Sequence, residues 1–264
     1  MSCSLLKYNS INHCFSLIMN RNSSSEKKEL AASAALITAE IIFLLAVFFV
    51  SVTSLIVIIR RIFFIKEDVF DQKVFDFLLP YVTDTNTAVM LFFTFFGSYY
   101  FMVPAWLLVF SYYFFIRKNK GYFNRMVTIA VSNLLLLWTL KFFFNRPRPL
   151  IPLLKEIPGL SFPSGHAFMG MIFYGLFICI AYRDIKQRWK RWAVIFILFA
   201  FLILVGFSRV YLRVHYFSDI IAGYCFGIIS LTILFWLLNM IEKFNKVKMT
   251  LSTDTAIPIA KKSL

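Results

Sequence analysis

Long apolar runs separated by short polar connections dominate the chain, and the lengths of those runs set the first reading. Runs near residues 38 to 59, 89 to 116, 126 to 144, 165 to 182, 192 to 208 and 220 to 240 are each long enough to cross about 30 Å of hydrocarbon as a helix. Backbone groups in lipid must be satisfied within their own segment, so the pattern predicts an all-α integral membrane bundle of six transmembrane helices. The second run contains Gly97 and Pro104 and exceeds the length of one crossing, which leaves a short interfacial helix followed by a span as the alternative there. Between the first two runs, in the 60 to 87 connection, VFDQKVFDFL has the spacing of an amphipathic helix lying in the interface. The first run begins after about thirty mostly polar residues, too late and too long for a cleaved signal peptide. The expected organisation is an N-terminal tail over 1–35, a transmembrane domain over 36–240 and a C-terminal tail over 241–264.

Composition agrees with a lipid solvent. Of 264 residues, 60% are hydrophobic, 19% aromatic and only 16% charged, and the mean hydropathy is +0.75. A soluble globular chain of this length does not show such values. The net charge of +15 calls for no nucleic acid, because most cations cluster in four segments, 7–28, 117–125, 183–191 and 243–262. With six spans these segments share one face, which the positive-inside rule makes cytoplasmic, next to anionic headgroups. Arg60 and Arg61 run mildly against the scheme, and Glu40 reads as the cytoplasmic edge of the first span. The localisation expected is multi-pass in a cell membrane, a bacterial cytoplasmic membrane, with both termini cytoplasmic. Cys3 and Cys14 fall in the N-terminal tail while Cys179 and Cys225 fall within spans, so no disulfide is expected. Gly165, Gly170 and Gly175 suit close helix packing.

The remaining cations, apart from those of the 60 to 87 connection, lie in two later gaps that face the opposite side. They are Lys141, Arg146, Arg148, Lys155, Arg209 and Arg213. Charged groups near membrane depth are expensive and mark function by default. KFFFNRPRP (141–149), SFPSGHAF (161–168) and SRVYLRVHYFSD (208–219) therefore meet at one extracytoplasmic surface. Ser164 is placed to cap the fourth span, whose free N–H groups attract phosphate. Lys141 closes the third span, Arg148 follows between Pro147 and Pro149 in chain that cannot be helical, and Arg209 ends the fifth. Three fixed cations and a helix N-terminus form a cradle for a phosphoryl group, whose transfer rests on positioning and charge stabilisation. His215 and Asp219 stand four apart, on one face if the sixth helix begins there. A carboxylate at that position can hold the imidazole Nδ1–H and leave Nε2 free to attack phosphorus.

Lys141, Arg148 and Pro149, then Pro163, Ser164, Gly165 and His166, then Ser208, Arg209, His215 and Asp219 resemble the three signature motifs of the type 2 phosphatidic acid phosphatase family, which belongs to the vanadium haloperoxidase-like superfamily. The resemblance covers roughly residues 85 to 240. It implies a membrane lipid phosphatase acting on a phosphomonoester or pyrophosphate, with phosphatidic acid, phosphatidylglycerol phosphate and undecaprenyl diphosphate as candidate substrates. It makes His215 the nucleophile of a phosphohistidine, Asp219 its orienting partner and His166 the general acid. Lys141, Arg148, Ser164, Gly165, Ser208 and Arg209 would hold the phosphate oxygens. No metal or other cofactor is implied, and the chain has 3 histidines, one of them His13 in the tail. The alternatives are a lipid phosphotransferase of the same family and a membrane transporter that keeps a phosphate site without turnover. Binding alone needs the cations but no acid and nucleophile pair.

Overall fold

The computed structural model describes residues 24–150, 152–153 and 159–260, with side chains over the part of these from 41 to 244. His13, Cys3, Cys14, Glu40, Lys155 and most cations of the two tails lie outside the described side chains. Contacts divide the chain into Met1–Val50 and Ser51–Leu264, and the second unit contains all three motif segments.

Helix α1 runs Ser24–Ile59 and continues through a π-helical turn at Arg60–Ile65. It is followed by α2 (Val69–Leu78), α3 (Asp84–Phe95), α4 (Tyr99–Ser111), α5 (Lys120–Phe144), α6 (Gly165–Asp184), α7 (Arg188–Tyr211) and α8 (Phe217–Ala260). No strand occurs among the described residues. Six segments are long and apolar enough to span a membrane: Ile41–Ile65, Asp84–Ile116, Lys120–Phe144, Gly165–Asp184, Arg188–Tyr211 and Phe217–Phe244. The chain is a multi-pass, all-α membrane protein, as its apolar runs predict.

The second run is a broken helix. Its first part, α3, is capped by Thr83, whose hydroxyl accepts from the Asn86 amide at 3.2 Å, a cap that stabilises a helix by about 1 kcal/mol. The chain turns at Phe96–Ser98 before α4 begins, and Pro104 sits inside α4. The short interfacial helix expected over VFDQKVFDFL is α2, which buries Asp71, Phe75 and Leu78 and exposes Phe70 and Phe77.

Helix α6 is the centre of the packing, with half of its most apolar window inside the protein against 17% for α5. It lies against both α7 and α8, and α3 lies against α7. Phe168, Ile172, Leu176, Leu202 and Val205 form the middle of the core. The close approach of α8 to the start of α6 depends on Gly223, where a Cβ would stand 2.9 Å from the Ala167 Cβ and 3.0 Å from the Ser164 carbonyl oxygen. Exposed aromatic side chains such as Phe142 and Phe143 on α5 meet lipid chains as apolar as themselves. At the end of the spans away from the motif segments, Arg125 pairs with Glu242 at 3.2 Å and Arg183 donates to the Tyr122 hydroxyl at 3.0 Å. Two of the sequence's cationic segments are thus gathered on one face with the end of the last span.

Candidate active site

Each of the three motif segments reaches the site through a defined chain reversal. Helix α5 ends in Asn145, which adopts the left-handed conformation (φ 45°) while its amide bonds to the Lys141 carbonyl at 3.0 Å; asparagine tolerates that conformation at a helix end. Beyond it the chain is extended through Pro147 and Pro149, and the Arg146 carbonyl accepts from the Ser161 amide at 2.8 Å. That bond fastens KFFFNRPRP to SFPSGHAF. Ser164 caps α6, its hydroxyl accepting from Ala167 N at 3.5 Å, and its own amide bonds to the Asp219 carbonyl at 3.1 Å. The third reversal follows α7, where Arg213 takes φ 52° and the amides of Val214 and His215 both return to the Arg209 carbonyl, at 3.2 and 3.3 Å. A tight turn thereby brings His215 back onto Arg209, which explains the spacing of SRVYLRVH.

His215 and Asp219 meet, but not as two residues of one helix. Helix α8 begins at Phe217, so His215 precedes it while Asp219 occupies its first turn. Nδ1 of His215 lies 3.6 Å from Oδ2 of Asp219 and 3.4 Å from the Ser161 hydroxyl. The same Ser161 hydroxyl donates a short bond to Asp219 Oδ2, and Tyr216 N donates to that oxygen at 2.9 Å. On the other edge of the ring, Nε2 stands 3.5 Å from Arg148 NH1. The imidazole is therefore held on its Nδ1 side by a carboxylate and a serine, and its Nε2 faces a guanidinium.

The cations are fixed by backbone carbonyls. Lys141 Nζ donates to Leu160 O at 2.7 Å, and Arg148 donates to Gly159 O at 3.2 Å and Val214 O at 3.0 Å. Arg209 donates to the Thr94 hydroxyl at 2.7 Å, yet its buried Nε has no hydrogen-bond partner among the described residues. A buried unpaired donor calls for an explanation, and an anion oxygen in the cradle supplies one. Gly165 lies beside Lys141, with a Cβ there 4.0 Å from the lysine Cε. The groups whose charges act on His166 are Arg209, His215, Arg148 and Lys141, so both histidines belong to one cluster. Ser208 differs from the rest: it is fully buried and its hydroxyl donates to Val205 O at 2.7 Å within its own helix. The structure brings its backbone to the site and leaves its hydroxyl turned away.

Burial dominates the electrostatics of His215, pushing its pKa down to about 4, with Arg209 and Arg148 acting in the same direction and Asp219 opposing them. The ring is accordingly neutral near pH 7, with a lone pair available. Burial also lowers Arg148, against the pull of Asp219. Among the described residues no three His, Cys, Asp or Glu side chains gather as a metal centre would need.

Four contributors escape the motif pattern. Ser161 precedes PSGH by two positions, and only its place in a polar stretch could have signalled it. Arg146 and Asp71 form a buried ion pair, with Arg146 NH2 3.0 Å from Asp71 Oδ2. Gly97, in the break between α3 and α4, lies against the His166 ring: a Cβ there would stand 2.7 Å from His166 Cδ2 and in hard collision with Val205 Cγ1.

Known proteins share this fold. The family model of the PAP2 superfamily matches residues 121–243, which include all three motif segments. The chain is 29% identical over 152 residues, 57% of its length and 72% of the relative's, to phosphatidylglycerophosphatase B of Bacillus subtilis (strain 168). The crystal structure of a transmembrane PAP2 type phosphatidylglycerolphosphate phosphatase from Bacillus subtilis superposes with a TM-score of 0.62 at 24% identity, covering 73% of this chain and 96% of that one; at that identity the likeness establishes the fold. Fold and spans together define a polytopic all-α membrane protein, and the relatives it resembles are PAP2-type phosphatases. Over residues 121–243, a little under half of its length, the chain is similar to the PAP2 superfamily.

Proposed function

We propose that this protein hydrolyses a phosphomonoester or pyrophosphate of a membrane lipid through a phosphohistidine, without a divalent metal, at the extracytoplasmic surface. The observation that carries the reading is the orientation of His215, with Nδ1 toward Asp219 and Ser161 and Nε2 toward Arg148. Nε2 attacks phosphorus, the bond from phosphorus to the lipid oxygen breaks, and His166 gives that oxygen its proton. Water then attacks the phosphohistidine, returning a proton to His166 and freeing inorganic phosphate and His215. Lys141, Arg148, Arg209 and the α6 N-terminus with Ser164 and Gly165 take the charge that develops on the phosphoryl oxygens. Phosphatidylglycerophosphate is the first candidate substrate, since the curated relative is a phosphatidylglycerophosphatase; phosphatidic acid and undecaprenyl diphosphate follow. The cationic segments 117–125 and 183–191 argue for a cytoplasm at the opposite ends of the spans.

One reconstitution tests these statements together. Purified protein in sealed vesicles, assayed with the three lipids in EDTA, should release phosphate fastest from one of them at a rate unchanged by chelation. A membrane-impermeant aryl phosphate should be turned over only by molecules whose His215 face is outside, as sorted by an impermeant thiol reagent at a cysteine placed at position 121. Turnover that vanishes in EDTA and returns with Mg²⁺ overturns the metal-free reading, and turnover by the opposite orientation overturns the topology.

Gly97→Ala is expected to lower kcat about tenfold to a hundredfold, since the added methyl must displace the His166 ring and sub-ångström positioning carries factors of that order. The check is kcat beside the thermal midpoint. A folded variant with wild-type kcat would show that the break does not set the position of His166.

A further inference from the structure

Arg146 lies outside the cradle, two residues before Arg148, and all of its described bonds run away from the phosphate position. NH1 donates to Asp219 Oδ1 at 2.6 Å and to the Ser218 hydroxyl at 2.9 Å, and NH2 donates to Asp71 Oδ2 at 3.0 Å. Its guanidinium lies 4.0 Å over the Tyr216 ring. Asp71 in turn accepts from the Ser218 amide at 2.9 Å and the Ser218 hydroxyl at 2.5 Å, so a carboxylate of α2 caps the first turn of α8 from outside. All four polar residues of this cluster are buried. A cation shared by two buried carboxylates is retained at a desolvation cost unless it fixes something, and here one of the carboxylates is the partner of His215.

We propose that Arg146 is the positioning residue of the His215–Asp219 pair, and that Asp71 on the interfacial helix α2 sets how much of the Arg146 charge reaches Asp219. Asp219 presents Oδ2 to His215, Ser161 and Tyr216 N, while Arg146 occupies Oδ1 and keeps the carboxylate from rotating toward the cradle cations. The inference rests on His215 being the nucleophile. Other charged groups face the pair: Arg148 and Lys141 from α5 and its connection, His166 from α6 and Arg209 from α7, while Asp71 from α2 reaches it through Arg146, and Asp68, just before α2, acts with Asp71 on the adjoining Tyr216. Among the described residues, Arg146 alone of these charged groups bonds directly to Oδ1. Removing the Arg146 charge takes away the cation bonded to Asp219 and strengthens the hold of Asp219 on a proton at His215; removing Asp71 does the reverse.

The test compares Arg146→Gln, Arg146→Lys and Asp71→Asn, using kcat, KM and the ratio of kcat/KM near pH 4, where His215 titrates, to that at neutral pH. Arg146→Gln should lower kcat at least tenfold with KM within about threefold of wild type, because no bond of Arg146 faces the substrate, and should lower the ratio severalfold. Arg146→Lys, which keeps the charge, should restore the ratio but only part of kcat. Asp71→Asn should raise the ratio. A loss of kcat with all ratios unmoved would indicate simple loosening and overturn the proposal, as would a folded Arg146→Gln with wild-type kinetics. If Arg146→Gln does not fold, the direction of the Asp71→Asn shift decides alone. His215→Ala run in parallel separates the two readings: turnover surviving there sinks the nucleophile assignment itself, whereas its abolition beside unshifted ratios sinks only the role of Arg146.

Discussion

Alanine in place of His215 is expected to abolish both phosphate release and the acid-labile phosphate that rapid quench with labelled substrate traps on the wild-type protein. The loss should be about 10⁴-fold or more, as for removal of the nucleophile in other covalent enzymes. His215 is 2% exposed, so the variant leaves a small void beside Ser161 and Asp219 but keeps Lys141, Arg148 and Arg209 for binding. Affinity for inorganic phosphate should therefore fall far less than turnover. The pH profile gives a second reading of the same group. Burial holds His215 low, at about 4, so its neutral form persists as the pH falls from 7. It is lost only as the pH passes through that value, rather than near the usual 6.5. The acid limb of kcat/KM, which reports the free enzyme, should lie correspondingly low. Phosphoenzyme undiminished in His215→Ala would reassign the nucleophile.

His166→Ala is expected to discriminate between leaving groups. The ring makes no hydrogen bond with another described residue, and it lies in the fields of Arg209, His215, Arg148 and Lys141. Removing it therefore breaks no hydrogen bond among the described residues, and the measured loss reports chemistry. Departure of a lipid alkoxide needs a proton, and general acid catalysis contributes about 10²- to 10⁴-fold. A lipid phosphomonoester should lose that much. An aryl phosphate, whose leaving oxygen is a weaker base, should lose several times less. Phosphoenzyme should still form on the aryl substrate and accumulate, because the water that discharges it has also lost its base. Equal losses for both substrates would place His166 in binding instead.

The parts legible in the sequence were those that repeat or that collide with the solvent. Six apolar runs announce six spans because lipid admits little else, and charges in the gaps stand out for the same reason. The motif segments could be placed on one surface by counting spans. What they leave unsaid is how the chain turns. That His215 stands before α8, held by the reversal at Arg213, is a matter of backbone conformation that a four-residue spacing does not specify. Asp71 was invisible for a different reason. An acidic residue in VFDQKVFDFL suits a water-facing stripe of an interfacial helix as well as a buried pair with Arg146, and periodicity cannot distinguish them. Ser208 shows the converse, a motif serine whose hydroxyl turns back to Val205. Gly97 could be read only as an interruption, because its partner His166 lies far away along the chain.

The interruption also bears on how the protein matches the thickness of its bilayer. Asp84–Ile116 comprises 33 residues, which as one straight helix would reach about 50 Å, some 20 Å beyond the hydrocarbon layer. Such a mismatch normally forces a tilt or a local thickening of the lipid. Here the turn at Phe96–Ser98 ends α3 after 12 residues, and the surplus length becomes wall: Thr94 meets Arg209, Gly97 meets His166, and the Phe96 carbonyl accepts from the Tyr174 hydroxyl at 3.1 Å. A membrane thick enough to draw this segment straight would pull on the contacts that shape the site. Bilayer thickness thus becomes a variable to which turnover should respond.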